Sequence, residues 1–93
     1  MNNKKLNLIR NKLDILDIKL LDLIKRRTAL VKKIIKLKKY KKQIVDRQRI
    51  RKVLNNIKKN SVKRNIDPKI TGKIWSSMIN SYIDYERRNF KKK

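Results

Sequence analysis

Apolar residues recur every third or fourth residue from Leu6 over ten positions, with one exception. The series is Leu6, Ile9, Leu13, Leu16, Leu20, Leu23, Arg27, Leu30, Ile34 and Leu37. Alternating steps of three and four over such a length make the seam of a long packed helix. No Gly or Pro interrupts residues 6–39, so the pattern predicts one helix there, roughly 50 Å long at ~1.5 Å per residue. A compact domain of this size has a radius of gyration of only about 12 Å. The rest of the chain cannot wrap that helix, so a second subunit must. The expected fold is all-α, with three helices per protomer and a very long first helix, in an intertwined homodimer.

Two shorter helices follow a polar, basic joint at residues 40–45. The second is predicted over 46–60. Asp46 opens it as an N-cap, and Ile50, Val53, Leu54 and Ile57 form its stripe. It is expected to fade at Asn60 and Ser61. The third is predicted over 68–89, with Asp67 as N-cap and Pro68 in the first helical position. Its stripe holds Ile70, Ile74, Trp75, Met78, Ile79, Tyr82 and Ile83. Residues 90–93 form a basic tail, and 91–93 should fray. The chain reads as a single helical domain without tandem repeats.

Several polar residues interrupt these stripes. Arg27 stands in the leucine seam, where a guanidinium is costly to desolvate unless an anion meets it. That anion is either a protein carboxylate or a ligand carboxylate. Lys38 follows Arg27 by eleven residues, which is about 20° of helical rotation and roughly 16 Å of rise. Two long side chains on one face can converge on a small ligand between them. Lys38 also sits in a run with Lys36 and Lys39, and such runs usually face solvent. Arg10 lies about 100° around the helix from Arg27, toward a different neighbour, which the dimer would make the partner's pocket. Asp46 and Arg49 form D-x-x-R, readable as a plain cap with a surface arginine or as a loop that aims Arg49 at the same pocket. Glu86 is the one glutamate in the chain and falls on the apolar stripe of the third helix. It is either a counter-ion for Arg27 or another cation, or a carboxyl group aimed into the pocket. Tyr82, one turn earlier, would flank it or serve as a core aromatic with a wetted hydroxyl.

Composition narrows the chemistry. There is no Cys and no His, which excludes disulfides, thiolate chemistry, most zinc sites and imidazole catalysis. The lack of Cys fits a reducing compartment, and the expected location is the cytoplasm. Met1 to Arg10 lacks the apolar core of a signal peptide, and no apolar run approaches the ~20 residues of a membrane span. The net charge is +23. It reads either as a solvated lysine-rich surface or as the footprint of a polyanion partner. Non-specific, salt-sensitive nucleic-acid binding is expected in either case.

The residues singled out above also coincide with a known pattern. The stretch I-R-N-K-L-D-I-L-D-I-K-L-L-D-L-I-K-R-R at residues 9–27 resembles the first helix of the all-helical chorismate mutases. The K-x-K ending at Lys38, the D-x-x-R at 46–49 and a carboxyl group on the third helix extend the resemblance over roughly residues 8–86. It implies an interlocked dimer with two pockets, each built from both subunits, and no cofactor or metal. Arg10 would come from the partner chain, while Arg27 and Arg49 would meet the carboxylates of chorismate. Lys38 would touch the ether oxygen and a carboxylate, and Asp46 would serve the hydroxyl side. Glu86 stands where many members have Gln and would donate to the ether oxygen. The reaction implied is the Claisen rearrangement of chorismate to prephenate, in the shikimate-derived route to phenylalanine and tyrosine. Two positions depart from the mutases. Ile50 follows the D-x-x-R arginine where Glu is frequent, and Tyr82 replaces a small polar residue. Both resemble the related isochorismate-pyruvate lyases, whereas Asp46 resembles the mutases. A basic helical nucleic-acid binder is the non-enzymatic alternative.

Overall fold

A computed structural model describes residues 3–91. The described residues form three α-helices and one short 3-10 turn: α1 (Asn3–Leu37), the turn at Lys41–Gln43, α2 (Arg47–Lys63) and α3 (Pro68–Asn89). No strand occurs among them. The fold is all-α with a very long first helix, as the seam predicts. Of the tail expected to fray, residues 92 and 93 lie outside the described residues.

The chain divides into two compact units, Met1–Lys33 and Ile34–Lys93. The first unit contributes only α1 to the described structure. None of its described residues is buried. Seam leucines 13, 16, 20, 23 and 30 are each more than half exposed. A lone helix cannot bury its own stripe, and most helical stability in proteins comes from packing such a stripe.

The second unit is built around α2 and α3, which pack on each other. Ile50, Val53, Leu54 and Ile57 of α2 are half-buried, as are Trp75, Met78, Ile79, Tyr82 and Ile83 of α3. Ile70 and Ile74, expected on the same stripe, remain 57% and 48% exposed. Ile74 lies one turn before Met78 and about 40° from it around α3, so it continues the stripe beyond the part that α2 covers. Ile44 is the one buried hydrophobic residue among those described.

The α2–α3 connection shows how local sequence sets the geometry. Asn65 has φ of 57°, the left-handed region in which Asn is among the few tolerated residues. It sits just past the cap residue Arg64. The Ile66 amide donates to Ser61 O at 2.9 Å and the Asn65 amide to Val62 O at 3.1 Å, a Schellman closure of the last turn. Asp67 then caps α3, its carboxylate accepting from the Lys69 amide at 2.9 Å, with Pro68 in the first turn.

α2 continues three residues beyond the expected end at Asn60. Ser61 is buried at 4% exposure, and its hydroxyl donates back to Ile57 O at 2.6 Å. That hydroxyl has one proton, so the 2.7 Å contact with Thr71 Oγ1 of α3 has Thr71 as the donor. A residue that breaks helices in isolation is here satisfied by a neighbouring helix.

Gly72 lies inside α3, and a Cβ there would meet nothing within 4 Å. Helix-interior Gly costs about 0.5–1 kcal/mol relative to Ala. Gly72→Ala is therefore expected to raise the midpoint of thermal unfolding by roughly 2–8 °C. A lower midpoint in a calorimetric scan would mean that something outside the protomer approaches Gly72 closely.

Candidate functional site

The site in the second unit is assembled where α1 ends. The Lys38 amide closes the final turn by donating to Ile34 O and Ile35 O, both at 3.2 Å. The chain then leaves the helix because Gln43 intercepts the next two donors. Its side-chain oxygen accepts from the Lys39 amide at 2.7 Å and the Tyr40 amide at 2.9 Å. The Gln43 and Ile44 amides return to Tyr40 O and Lys41 O at 3.0 and 3.1 Å. This tight turn drives Ile44 into the interior at 4% exposure. The helix thus stops at Leu37 rather than at residue 39, and Lys38 is the first residue beyond it.

Lys38 is held from two sides. Its ammonium donates to Glu86 Oε1 at 2.9 Å and to Ile44 O at a longer 3.4 Å. The two side chains of the ion pair are only 18% and 8% exposed. Glu86 is the most deeply buried acid described, at 6%. A charge that deep is costly unless it is paired and hydrogen-bonded, and here it is both. The sequence left Glu86 with several possible partners, of which Lys38 is the one the structure supplies. An ammonium has three donors, so one remains for a ligand.

A solvent-open cavity of about 440 Å³ lies beside Lys38, lined also by Gln43, Val45, Asp46, Arg47 and Gln48. That volume falls within the range of small-molecule sites, about 300–1,000 Å³. Asp46 caps α2, its Oδ1 accepting from the Arg49 amide at 3.0 Å. This bond fixes the start of the helix and leaves the Arg49 side chain exposed. Tyr82 is half-buried one turn before Glu86.

The structure therefore brings Lys38, Glu86 and Asp46 into one neighbourhood and ties Arg49 to Asp46 through the backbone. Arg10 and Arg27 belong to the first unit. Arg10 is exposed and Arg27 half-buried. Gln43, Val45, Arg47 and Gln48 were not singled out from the sequence. Arg47 and Gln48 were within reach, being the two unspecified positions of D-x-x-R. Gln43 and Val45 carry no sequence signal. Among the described residues no group of three His, Cys, Asp or Glu could hold a metal ion, and no helix is long and apolar enough to cross a membrane.

In an all-helical chain, a buried Lys–Glu pair lies beside a cavity that Arg47 and the Asp46 carboxylate also line. A family model described as Chorismate mutase type II matches residues 9–87. The chain belongs to that family. No curated protein and no solved structure matches it.

Proposed function

We propose that the protein catalyses the rearrangement of chorismate to prephenate, as an interlocked homodimer whose two pockets each draw on both subunits. The observation that carries this reading, given the family, is the sequestered Lys38 ammonium. It is oriented by Glu86 and Ile44, retains one donor, and borders a cavity of suitable size. The exposed α1 seam supports the dimer, because that much apolar surface on one helix calls for a covering subunit.

The reaction is pericyclic and needs no nucleophile, metal or redox group. The protein must hold a flexible dicarboxylate in its folded, reactive conformer and stabilise negative charge growing on the ether oxygen. Arginine forks grip carboxylates at two points. Arg27 and Arg49 take that task, with Arg10 entering from the partner subunit. Lys38 and Glu86 serve the ether oxygen, and Asp46 with Tyr82 frames the ring.

Glu86 donates to an ether oxygen only as the carboxylic acid. Glu86→Gln, whose amide donates without a titratable proton, should therefore keep or raise chorismate turnover, whereas Glu86→Ala should lose it. A folded Glu86→Ala protein that turns over chorismate as fast as wild type would remove Glu86 from the chemistry.

Ile50 favours a second reading. It is half-buried on α2 and cannot hold a ring hydroxyl, which resembles the isochorismate-pyruvate lyases. Offering purified protein chorismate and isochorismate separately decides between them. Loss of chorismate absorbance with acid-revealed phenylpyruvate supports the mutase. Release of pyruvate and salicylate from isochorismate alone assigns the lyase. Turnover of neither overturns both.

A further inference from the structure

We infer that the outward face of α2 is a binding surface for the phosphate backbone of nucleic acid, without base preference. Positive charge runs along the whole chain, but α2 is the one long helix with no acid to offset it. α1 carries Asp14, Asp17 and Asp22 in its first two thirds and only cations beyond them, and α3 sets Asp84 and Glu86 against Lys69, Lys73, Arg87 and Arg88. α2 has seven cations in 17 residues and no acid at all. Between residues 36 and 64 the only acid is Asp46, and its carboxylate is engaged in capping α2.

Three of the seven cations on α2 share its outward face. Lys52, Asn55, Lys59 and Lys63 recur at steps of three, four and four, roughly opposite the Ile50, Leu54 and Ile57 stripe that packs toward α3. All four are exposed. The three lysines are spaced by roughly 10 and 6 Å along the axis. A nucleic-acid strand presents a phosphate about every 3.4 Å of duplex axis, so successive lysines can reach successive groups of phosphates. Interleaved asparagine supplies neutral hydrogen-bonding groups that add no repulsion.

Two features favour nucleic acid over a lipid surface. A helix that lies on a membrane inserts an apolar face of its own. The apolar face of α2 is occupied by α3, and its outward side offers one large apolar residue, Val62. No aromatic residue occurs in α2, so bases find no stacking platform. Contacts are then to phosphates, and affinity follows salt rather than sequence. This surface lies apart from Lys38 and Glu86 and does not depend on the proposed reaction.

The test compares two triple variants of equal net charge in the full-length protein. One is Lys52→Glu, Lys59→Glu, Lys63→Glu on α2. The other is Lys69→Glu, Lys73→Glu, Lys91→Glu on and after α3. Anisotropy titrations use a labelled single-stranded RNA and a DNA duplex, each of about 20 units, near 0.15 M salt. Vesicles with anionic lipid run in parallel. Wild type should bind a nucleic acid at that salt. The α2 variant should weaken binding at least tenfold and flatten the salt dependence by about two to three units of slope. The α3 variant should stay within about twofold of wild type. Binding of RNA alone, of duplex alone or of both supports the surface and identifies the polyanion. If helical circular dichroism shows the glutamate triple unfolded, the Lys→Gln triple at the same three positions replaces it, with the same direction expected. Equal weakening by both triples would reduce the effect to bulk charge and overturn the inference. So would no binding near 0.15 M salt, or binding confined to anionic vesicles.

Discussion

Replacing Arg27 by leucine should leave a folded protein that no longer turns over chorismate. Arg27 occupies the seventh of ten seam positions, and the other nine are apolar. Leucine completes that row. If the seam is covered by a second subunit, the new side chain adds up to about 1.5–3 kcal/mol of apolar burial, so the thermal midpoint holds or rises. Removing one partner of a desolvated, hydrogen-bonded charge pair costs about 2–5 kcal/mol. At ~1.4 kcal/mol per tenfold, the turnover loss is roughly 30- to 4,000-fold. Two measurements suffice, a calorimetric scan and a chorismate-depletion assay. A variant that unfolds, or melts well below wild type, would make Arg27 a structural residue and remove it from the substrate site.

Lys38→Met should behave in the opposite way, losing stability as well as activity. Its ammonium pairs with Glu86 Oε1 at 2.9 Å, and the two side chains are 18% and 8% exposed. Methionine fills much the same space but leaves Glu86 buried without its cation. Breaking such a pair from one side costs on the order of 3 kcal/mol, which lowers the midpoint by roughly 12–24 °C for a domain of this size. Lys38→Met/Glu86→Met removes both charges and should recover most of that stability, because well-packed apolar replacements of buried pairs are often neutral. Activity stays absent in the single and the double variant. A single variant as stable as wild type would mean that the pair does little for the fold. Recovery of activity in the double variant would show that neither group takes part in the chemistry.

How far the sequence revealed this arrangement depends on how local each cause is. The α1 seam was legible because its period persists over ten positions, and the start of α3 because Asp67 and Pro68 act within one turn. The end of α2 was misplaced by three residues because Ser61 is satisfied by Thr71, a contact made across the α2–α3 packing. Lys38 was expected inside α1. Nothing nearby in the sequence announces that Gln43 will capture the Lys39 and Tyr40 amides and pull the chain out of the helix. Glu86 was recognisable as an acid on an apolar stripe and therefore as a group in need of a cation. Its choice of Lys38 was not, because 48 residues separate the two. The cavity beside them follows from that same turn, which is why Gln43 and Val45 went unmarked. The +23 charge was obvious from composition, but the acid-free lysine face of α2 became meaningful only once the apolar face of that helix was seen to be occupied.

Subunit mixing is the most direct measurement of the central proposal. Arg10→Ala and Arg27→Leu are each expected to be inactive alone. If Arg10 of one protomer completes the pocket that holds Arg27 of the other, a mixed dimer has one doubly damaged site and one intact site. Refolding or co-expressing the two variants in equal amounts makes about half of the dimers mixed, each with one working site. The account predicts that chorismate turnover returns to about a quarter of the wild-type rate, with prephenate as the product. A mixture as inactive as its components, from variants that each fold and dimerise, would contradict a site shared between subunits.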